Sequence, residues 1–90
     1  MNPRVVRKNV KWFVYMLRCV DGSLYTGVAT DAKRRLKEHL SGDGSRYVYS
    51  RRPVKIVHLE RRSTRSSALK REAAIKRLTH KEKLTLVNGK

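Results

Sequence analysis

The run from Lys11 to Ala29 constrains the fold more than any other part of this sequence. Lys11 to Val20 (KWFVYMLRCV) is rich in β-branched and aromatic residues and is apolar at both parities, which predicts a strand buried on both faces. Asp21-Gly22-Ser23 follows as a turn signal, and Leu24 to Ala29 (LYTGVA) then predicts a second strand. The sequence therefore predicts a β-hairpin that needs cover on both of its faces.

The remainder of the chain predicts one more strand and two or three helices. Capping residues and apolar spacing predict a first helix from Thr30 or Asp31 to about Leu40, followed by a loop over 41–53. The same signals predict a third strand over Val54–Leu59, a second helix over Ser66–Leu78 and a short terminal helix that begins at Thr79. The predicted fold class is α+β, a small three-stranded antiparallel sheet flanked by helices in the order β-β-α-β-α-(α). We expect a single domain over 1–90, in which 1–10 is a basic, flexible segment.

The charge balance restricts the partners of such a domain. The chain has 23 Lys and Arg against 7 Asp and Glu, a formal net charge of +16, and these basic residues are spread over every segment. This surplus favours an anionic partner, with nucleic acid ahead of an acidic membrane, although a generally charged soluble surface is the simpler alternative. No apolar run approaches a membrane span, and Cys19 has no second cysteine to pair with, so we expect a cytoplasmic protein.

Two polar residues of the first predicted helix lie beside its apolar stripe. With 100° per residue, Arg35 and His39 stack one turn apart next to Leu36 and Leu40, whereas Arg34 points away. Either residue has an ordinary alternative, because Arg35 can be a solvated surface residue and His39 a cation favoured by the C-terminal end of the helix dipole.

Glu72 is the anomaly of the second predicted helix, because it falls in the middle of the apolar stripe. A buried carboxylate needs a partner, so Glu72 either forms a structural salt bridge to an arginine or binds a cation. The other acids are scattered, mostly at predicted turns or helix surfaces, and Glu72 alone is predicted to face inward. The absence of clustered carboxylates argues against a two-metal nuclease, and one cysteine excludes cysteine-based zinc sites.

Five of these residues together resemble a known family. Val14-Tyr15 and Tyr25-Thr26-Gly27 resemble the paired motifs of GIY-YIG nucleases, although Phe13 stands where the first motif has Gly and Thr26 where the second has Ile or Val. Arg35, His39 and Glu72 match the spacing of the family's helix pattern and its single metal-binding glutamate. The resemblance covers nearly the whole chain. The chain is also similar to a subgroup of this family, the small stand-alone bacterial proteins of the UPF0213 type.

The resemblance implies hydrolysis of phosphodiester bonds with one divalent cation. In that case Glu72 would bind one Mg²⁺ or Mn²⁺, and Arg35 would bind the non-bridging phosphate oxygens. Tyr25 would act on the attacking water, and Tyr15 would orient water or phosphate. His39 would share the proton transfer or contact phosphate. Both tyrosines can alternatively be ordinary strand aromatics. Further contacts to nucleic acid are predicted for Arg34 and for four loop residues, Arg46, Tyr47, Arg51 and Arg52, although that loop can equally be plain surface. Family members often add an asparagine near the C-terminus that helps to bind phosphate, and Asn88 is the candidate in that region.

The predicted function is therefore that of a metal-dependent DNA endonuclease. We expect it to be a monomer that needs no small-molecule cofactor and does not bind a membrane. The alternatives are a non-catalytic DNA- or RNA-binding module on the same fold, or a structural partner of RNA. A shared active site requires Tyr15 and Tyr25 on one face of the hairpin. Because side chains alternate along a strand, a two-residue turn would separate the tyrosines, whereas an odd loop over 20–22 with a left-handed Gly22 unites them. We predict the odd loop.

Overall fold

The computed structural model of the chain describes residues 11–42 and 49–89, within which one antiparallel sheet packs with three helices. The strands are β1 (Trp12–Cys19), β2 (Leu24–Ala29) and β3 (Pro53–Arg62), and the helices are α1 (Ala32–Ser41), α2 (Arg65–Lys76) and α3 (His80–Val87). The strand order is β2-β1-β3, so the predicted α+β fold is confirmed. No helix in these two ranges combines the length and the apolarity needed to cross a membrane.

The loop between β1 and β2 has the predicted odd length. The Cys19 N–H donates to the Ser23 carbonyl at 2.9 Å, which leaves Val20, Asp21 and Gly22 as a three-residue connection. Gly22 has φ +86°, a conformation in which a side chain is strained. The Asp21 carboxylate accepts hydrogen bonds from the backbone N–H and the hydroxyl of Ser23, which fixes the loop.

The register of the hairpin places the two tyrosines on one face of the sheet. Tyr15 pairs with Gly27 and Leu17 pairs with Tyr25, so Tyr15 and Tyr25 have the same parity across the ladder. The prediction of a shared face is therefore confirmed. Gly27, directly opposite Tyr15, leaves room for the tyrosine ring on that face.

The central strand β1 is covered on both sides, as its apolar sequence predicts. On one face, the buried residues cluster with α1 and comprise Tyr15, Leu17, Ala29 and Ala32. On the other face, they cluster with α2 and α3 and comprise Val14, Met16, Ala68 and Ile75. Thr26 is also buried, and its hydroxyl lacks a hydrogen-bond partner among the described residues.

Side-chain caps set the helix ends close to the predicted positions. Asp31 accepts a hydrogen bond from the Arg34 N–H at the start of α1, and Thr79 forms a capping box with Glu82 at the start of α3. Thr64 caps α2 by accepting a hydrogen bond from the Ser67 N–H, so the helix begins at Arg65, one residue before the predicted start, and it ends at Lys76, two residues before the predicted end. The third strand also extends beyond the predicted Leu59, because the residues after it pair with the first part of β1.

The inward face of α1 differs from the predicted stripe. His39 is fully buried, whereas Leu40, which the stripe placed inside, is 50% exposed. The prediction for Leu40 is therefore wrong. The face of α1 that packs on the sheet carries Ala32 and His39, and it lies next to the two tyrosine rings. The helix is therefore rotated about its axis relative to the prediction, which put Leu40 on that face.

Candidate active site

A cleft of about 200 Å³ lies where β2 forms one edge of the described sheet. Its walls come from β1, β2, α1 and α2 and comprise Trp12, Tyr15, Tyr25, Gly27, Val28, Arg35, Arg65, Leu69 and Glu72. Tyr25 and Gly27 belong to the face covered by α1, whereas Val28 belongs to the face covered by α2. The cleft therefore wraps around the strand edge, and it brings together four of the five predicted catalytic residues.

Tyr15 forms the floor of this cleft. Its side chain is 1% exposed, and its hydroxyl lies 3.3 Å from Nε2 of His39. Burial and the neighbouring Tyr25 raise the pKa of Tyr15 to about 12, against an opposing effect of the Arg35 guanidinium. The phenol thus stays protonated near neutral pH, which suits a hydrogen-bonding group more than a base. The ring lies over Gly27, where an added Cβ would be 2.5 Å from the tyrosine oxygen.

His39 lies beneath the tyrosines and is not one of the residues that line the cleft. Its ring centroid is 5.7 Å from that of Tyr25 at an interplanar angle of 72°, and the Tyr15 hydroxyl contacts its Nε2. Burial, helped by the positive charge of Arg35, lowers the pKa of His39, so the neutral imidazole is favoured near neutral pH. Full burial of the side chain therefore argues against the alternative of a cation favoured by the helix dipole.

Arg35 reaches the cleft from α1 and is anchored at one end by Glu38. The guanidinium Nη1 donates to Glu38 Oε1 at 2.8 Å, and this hydrogen bond is the main reason that the pKa of Arg35 is raised. Arg34 lies 3.7 Å from the other Glu38 oxygen. Glu38 thereby fixes the direction of the arginine.

Glu72 enters the cleft from α2 with a side chain that is 19% exposed. Its ionic contact within the described residues is to the exposed ammonium of Lys76, at 3.4 Å and one turn away, and not to an arginine. Residues 11–42 and 49–89 contain no group of three or more His, Cys, Asp or Glu side chains placed to hold a metal ion. A single carboxylate nevertheless fits Mg²⁺, which usually keeps several waters and takes one or two carboxylates together with phosphate oxygens.

Glu60 is a half-buried acid in a salt-bridge cluster that was not predicted from the sequence. It lies in β3, is 19% exposed like Glu72, and accepts two hydrogen bonds from Arg71 at 2.8 and 3.0 Å. His58 at 2.7 Å and Arg62 at 3.3 Å complete the cluster. The Arg71 hydrogen bonds are the largest cause that lowers the pKa of Glu60 to about 2. The prediction that Glu72 alone faces inward is therefore wrong. Glu60 was missed because β3 continues past the predicted end at Leu59, so that Glu60 pairs with Val14 inside the sheet.

The four predicted nucleic-acid contacts that fall within residues 11–42 and 49–89 do not line the cleft. Arg34 pairs with Glu38, Arg51 pairs with Asp21 at 3.4 Å, and Arg52 borders a separate hollow next to Tyr49. Asn88 follows the last residue of α3 and is exposed. Arg46 and Tyr47 lie outside the described residues, as does the predicted basic segment 1–10.

Two cleft residues, Trp12 and Arg65, were not predicted as functional. The Arg65 guanidinium carbon lies 5.9 Å from the centroid of the Trp12 ring, in the geometry of a cation–π contact. From the sequence, Trp12 was only a strand residue and Arg65 only a residue near the start of a helix. No local pattern indicates that the first residues of β1 and α2 contact each other.

Comparison with known proteins gives a consistent family. The profile of the GIY-YIG catalytic domain matches residues 11–85. A UPF0213 protein of Desulfotalea psychrophila is 53% identical over 79 residues, which cover 87% of this chain and 72% of that protein. A UPF0213 protein of Staphylococcus epidermidis is 48% identical over 77 residues, which cover 86% and 94% of the two chains.

Two solved structures show the same architecture. The solution NMR structure of the UPF0213 protein BH0048 from Bacillus halodurans superposes with a TM-score of 0.57 at 39% identity, covering 89% of this chain and 85% of the other. The solution NMR structure of EF2693 from E. faecalis gives 0.59 at 47% identity, with coverage of 84% and 82%. GIY-YIG nucleases act on nucleic acid and generally use divalent metal ions. Sequence and fold together show that this chain belongs to the GIY-YIG nuclease family, among its UPF0213 proteins.

Proposed function

We propose that this protein is an endonuclease that hydrolyses DNA phosphodiester bonds with one divalent cation. The observation that carries the proposal is the cleft at the edge of β2, in which Tyr15, Tyr25, Arg35 and Glu72 converge from four separate elements. Side chains that are simply solvent-exposed at the surface would not be expected to meet in one cleft. The formal charge of +16 supports a polyanionic substrate, because a strongly basic surface attracts phosphate backbones irrespective of sequence.

The cleft supplies a phosphate clamp and positioned hydroxyl groups. Arg35 offers a planar, permanently charged fork to the non-bridging oxygens, and Glu38 holds that fork in place. Tyr25 is the candidate to contact the attacking water, since it is partly exposed in the cleft. Tyr15 keeps its proton and links the floor to the buried His39, so this pair positions the site.

Glu72 is the carboxylate that would hold the cation, which is Mg²⁺ or Mn²⁺ in this proposal. When bound, the cation supplies Lewis-acid stabilisation of the negative charge that develops on the phosphate oxygens. The remaining ligands are waters and substrate oxygens, as expected for a site with one protein carboxylate.

A second candidate function is binding of nucleic acid without cleavage. The Lys76 ammonium 3.4 Å from Glu72 favours this alternative, because it already neutralises the carboxylate that the cation requires. The two candidates share the basic surface and differ in whether Glu72 accepts a cation in place of Lys76.

Cleavage assays with paired carboxylate variants test the proposal. Wild type, Glu72→Gln, Arg35→Ala and Glu60→Gln are incubated with labelled duplex, branched and single-stranded DNA, with and without Mg²⁺. Glu60→Gln is the matched control, because Glu60 has the same residue type and exposure but a structural role. We expect cleavage by wild type and Glu60→Gln, and a loss of at least roughly 100-fold in the other two variants.

Two results would separate the candidates. DNA cleavage that persists undiminished in both Glu72→Gln and Arg35→Ala would overturn the assignment of the site. Tight DNA binding by wild type without cleavage under any metal condition would establish the binding module instead. The expected monomeric state, cytoplasmic location and single-domain organisation remain predictions.

A further inference from the structure

The cleft is lined by a second arginine, Arg65, which comes from a different helix than Arg35. Arg35 approaches from α1 on one side of the β2 edge, whereas Arg65 is the first residue of α2 on the other side. The two arginines differ in their partners. Arg35 is engaged with Glu38, but Arg65 forms no ion pair with any acid in the part of the chain that the structure describes.

The Trp12 ring holds the Arg65 guanidinium in the cleft. Trp12 is half-buried because it packs against the core that contains Val14 and Met16. The guanidinium carbon lies 5.9 Å from the ring centroid, within the range of a cation–π contact. Stacking on an aromatic ring leaves the five N–H donors of an arginine free to bind an anion at their edge.

The size of the cleft limits what these two arginines can share. Its volume of about 200 Å³ is below the ~300 Å³ at which pockets for small molecules begin, so it suits a phosphodiester group better than a whole nucleotide. The neighbouring phosphate of the same strand must therefore lie at the rim of the cleft. Arg65 is exposed at that rim.

We propose that Arg65, held over Trp12, binds the phosphate next to the one at Arg35. Arg65 is a binding residue and Trp12 is a positioning residue in this inference. It rests on the proposed function to the extent that the cleft takes nucleic acid, but it does not require cleavage. Because a flanking phosphate is bound equally before and during the reaction, Arg65 contributes to KM and not to kcat.

Salt-dependent binding distinguishes this role from a purely structural one. Binding of a labelled single-stranded oligonucleotide is measured without divalent cations over a range of salt concentrations. Each phosphate contact contributes about 0.7 to the slope of log K against log salt for single strands. We therefore expect Arg65→Ala to lower the slope by about 0.7, and to weaken binding roughly fivefold, the scale of one exposed ionic contact.

Conservative variants and a control complete the design. Arg65→Lys keeps the charge and should keep the slope, while Trp12→Phe keeps an aromatic face and should bind more tightly than Trp12→Leu. Arg61→Ala is the matched control, because Arg61 is an exposed arginine on β3, at the other edge of the sheet, and should leave the slope unchanged. Where wild type cleaves DNA, Arg65→Ala should raise KM with little change in kcat.

The outcomes separate this inference from the proposed function. If wild type binds the oligonucleotide and Arg65→Ala binds with the same slope and affinity, the inference is wrong while the proposed function stands. A thermal midpoint that falls in Arg65→Ala without a change in slope would show a structural role and also overturn it. If wild type does not bind nucleic acid at all, the proposed function fails, and this inference fails with it.

Discussion

Substitution of Gly27 by alanine tests the contact on which the cleft floor depends. Gly27 lies in β2 directly opposite Tyr15, and the tyrosine ring occupies the space where a side chain would be. An added Cβ would lie 2.5 Å from the tyrosine oxygen and 2.6 Å from Cζ, distances that real Cβ atoms do not tolerate. Tyr15 is 1% exposed, so its ring cannot move away without displacing the core around it.

The sign of the stability change decides whether this contact exists. Gly27 does not have the positive φ that requires glycine, so alanine without a clash would stabilise the protein by about 0.4–1 kcal/mol through the unfolded chain. Overpacking of a dense core costs about 1–3 kcal/mol. We therefore expect a net loss of about 1–2 kcal/mol, which lowers the Tm of a domain of this size by roughly 5–15 °C.

Urea and thermal unfolding measure this loss, and a double-mutant cycle locates it. In a Tyr15→Leu background, which removes the ring atoms that the new Cβ meets, Gly27→Ala should be neutral or stabilising. Gly22→Ala provides a control that loses stability through backbone strain at φ +86° but leaves the cleft intact. A Gly27→Ala protein as stable as wild type, or an equal loss in both backgrounds, would refute the proposed packing of Tyr15.

Two further predictions concern the half-buried glutamates. Because the folded-state pKa of Glu60 is about 2 and its ordinary value is 4.5, its contribution to stability is complete above about pH 5 and is lost as the pH falls towards 2. Glu60→Gln should therefore lower the urea midpoint at pH 7 but flatten its decline towards pH 3, and an unchanged pH profile would contradict the ion-pair cluster. Lys76→Met should lower the Mg²⁺ concentration for half-maximal cleavage, because it removes the ammonium 3.4 Å from Glu72; an unchanged requirement would show that Lys76 does not compete with the metal.

The hairpin and its consequences followed from the sequence because they depend on local chemistry. A left-handed glycine after Val20-Asp21 sets an odd loop, and the odd loop alone places Tyr15 and Tyr25 on one face. The helix starts were also predictable to within one residue, because Asp31, Thr64 and Thr79 cap them with their own side chains.

The environment of the helical residues was less predictable, because a helical wheel gives relative directions and not the rotation of the whole helix. A wheel centred on leucines placed Leu40 inside, whereas packing against the two tyrosine rings turned His39 inward. The Trp12–Arg65 contact was likewise invisible in the sequence, since it depends on how α2 crosses the start of β1. Long-range packing of this kind has no local signature.

Glu60 and Glu72 show which property makes an inward carboxylate a metal candidate. Both are glutamates with side chains 19% exposed, so burial does not distinguish them. Arg71, His58 and Arg62 surround Glu60, and their hydrogen bonds occupy the lone pairs that a cation would need. Glu72 has one ionic contact among the described residues, to an exposed lysine on the next turn, and it lines the cleft together with Tyr25. The number of fixed donors around each carboxylate, and not its depth, therefore supports the proposal that Glu72, and not Glu60, exchanges its partner for a metal ion.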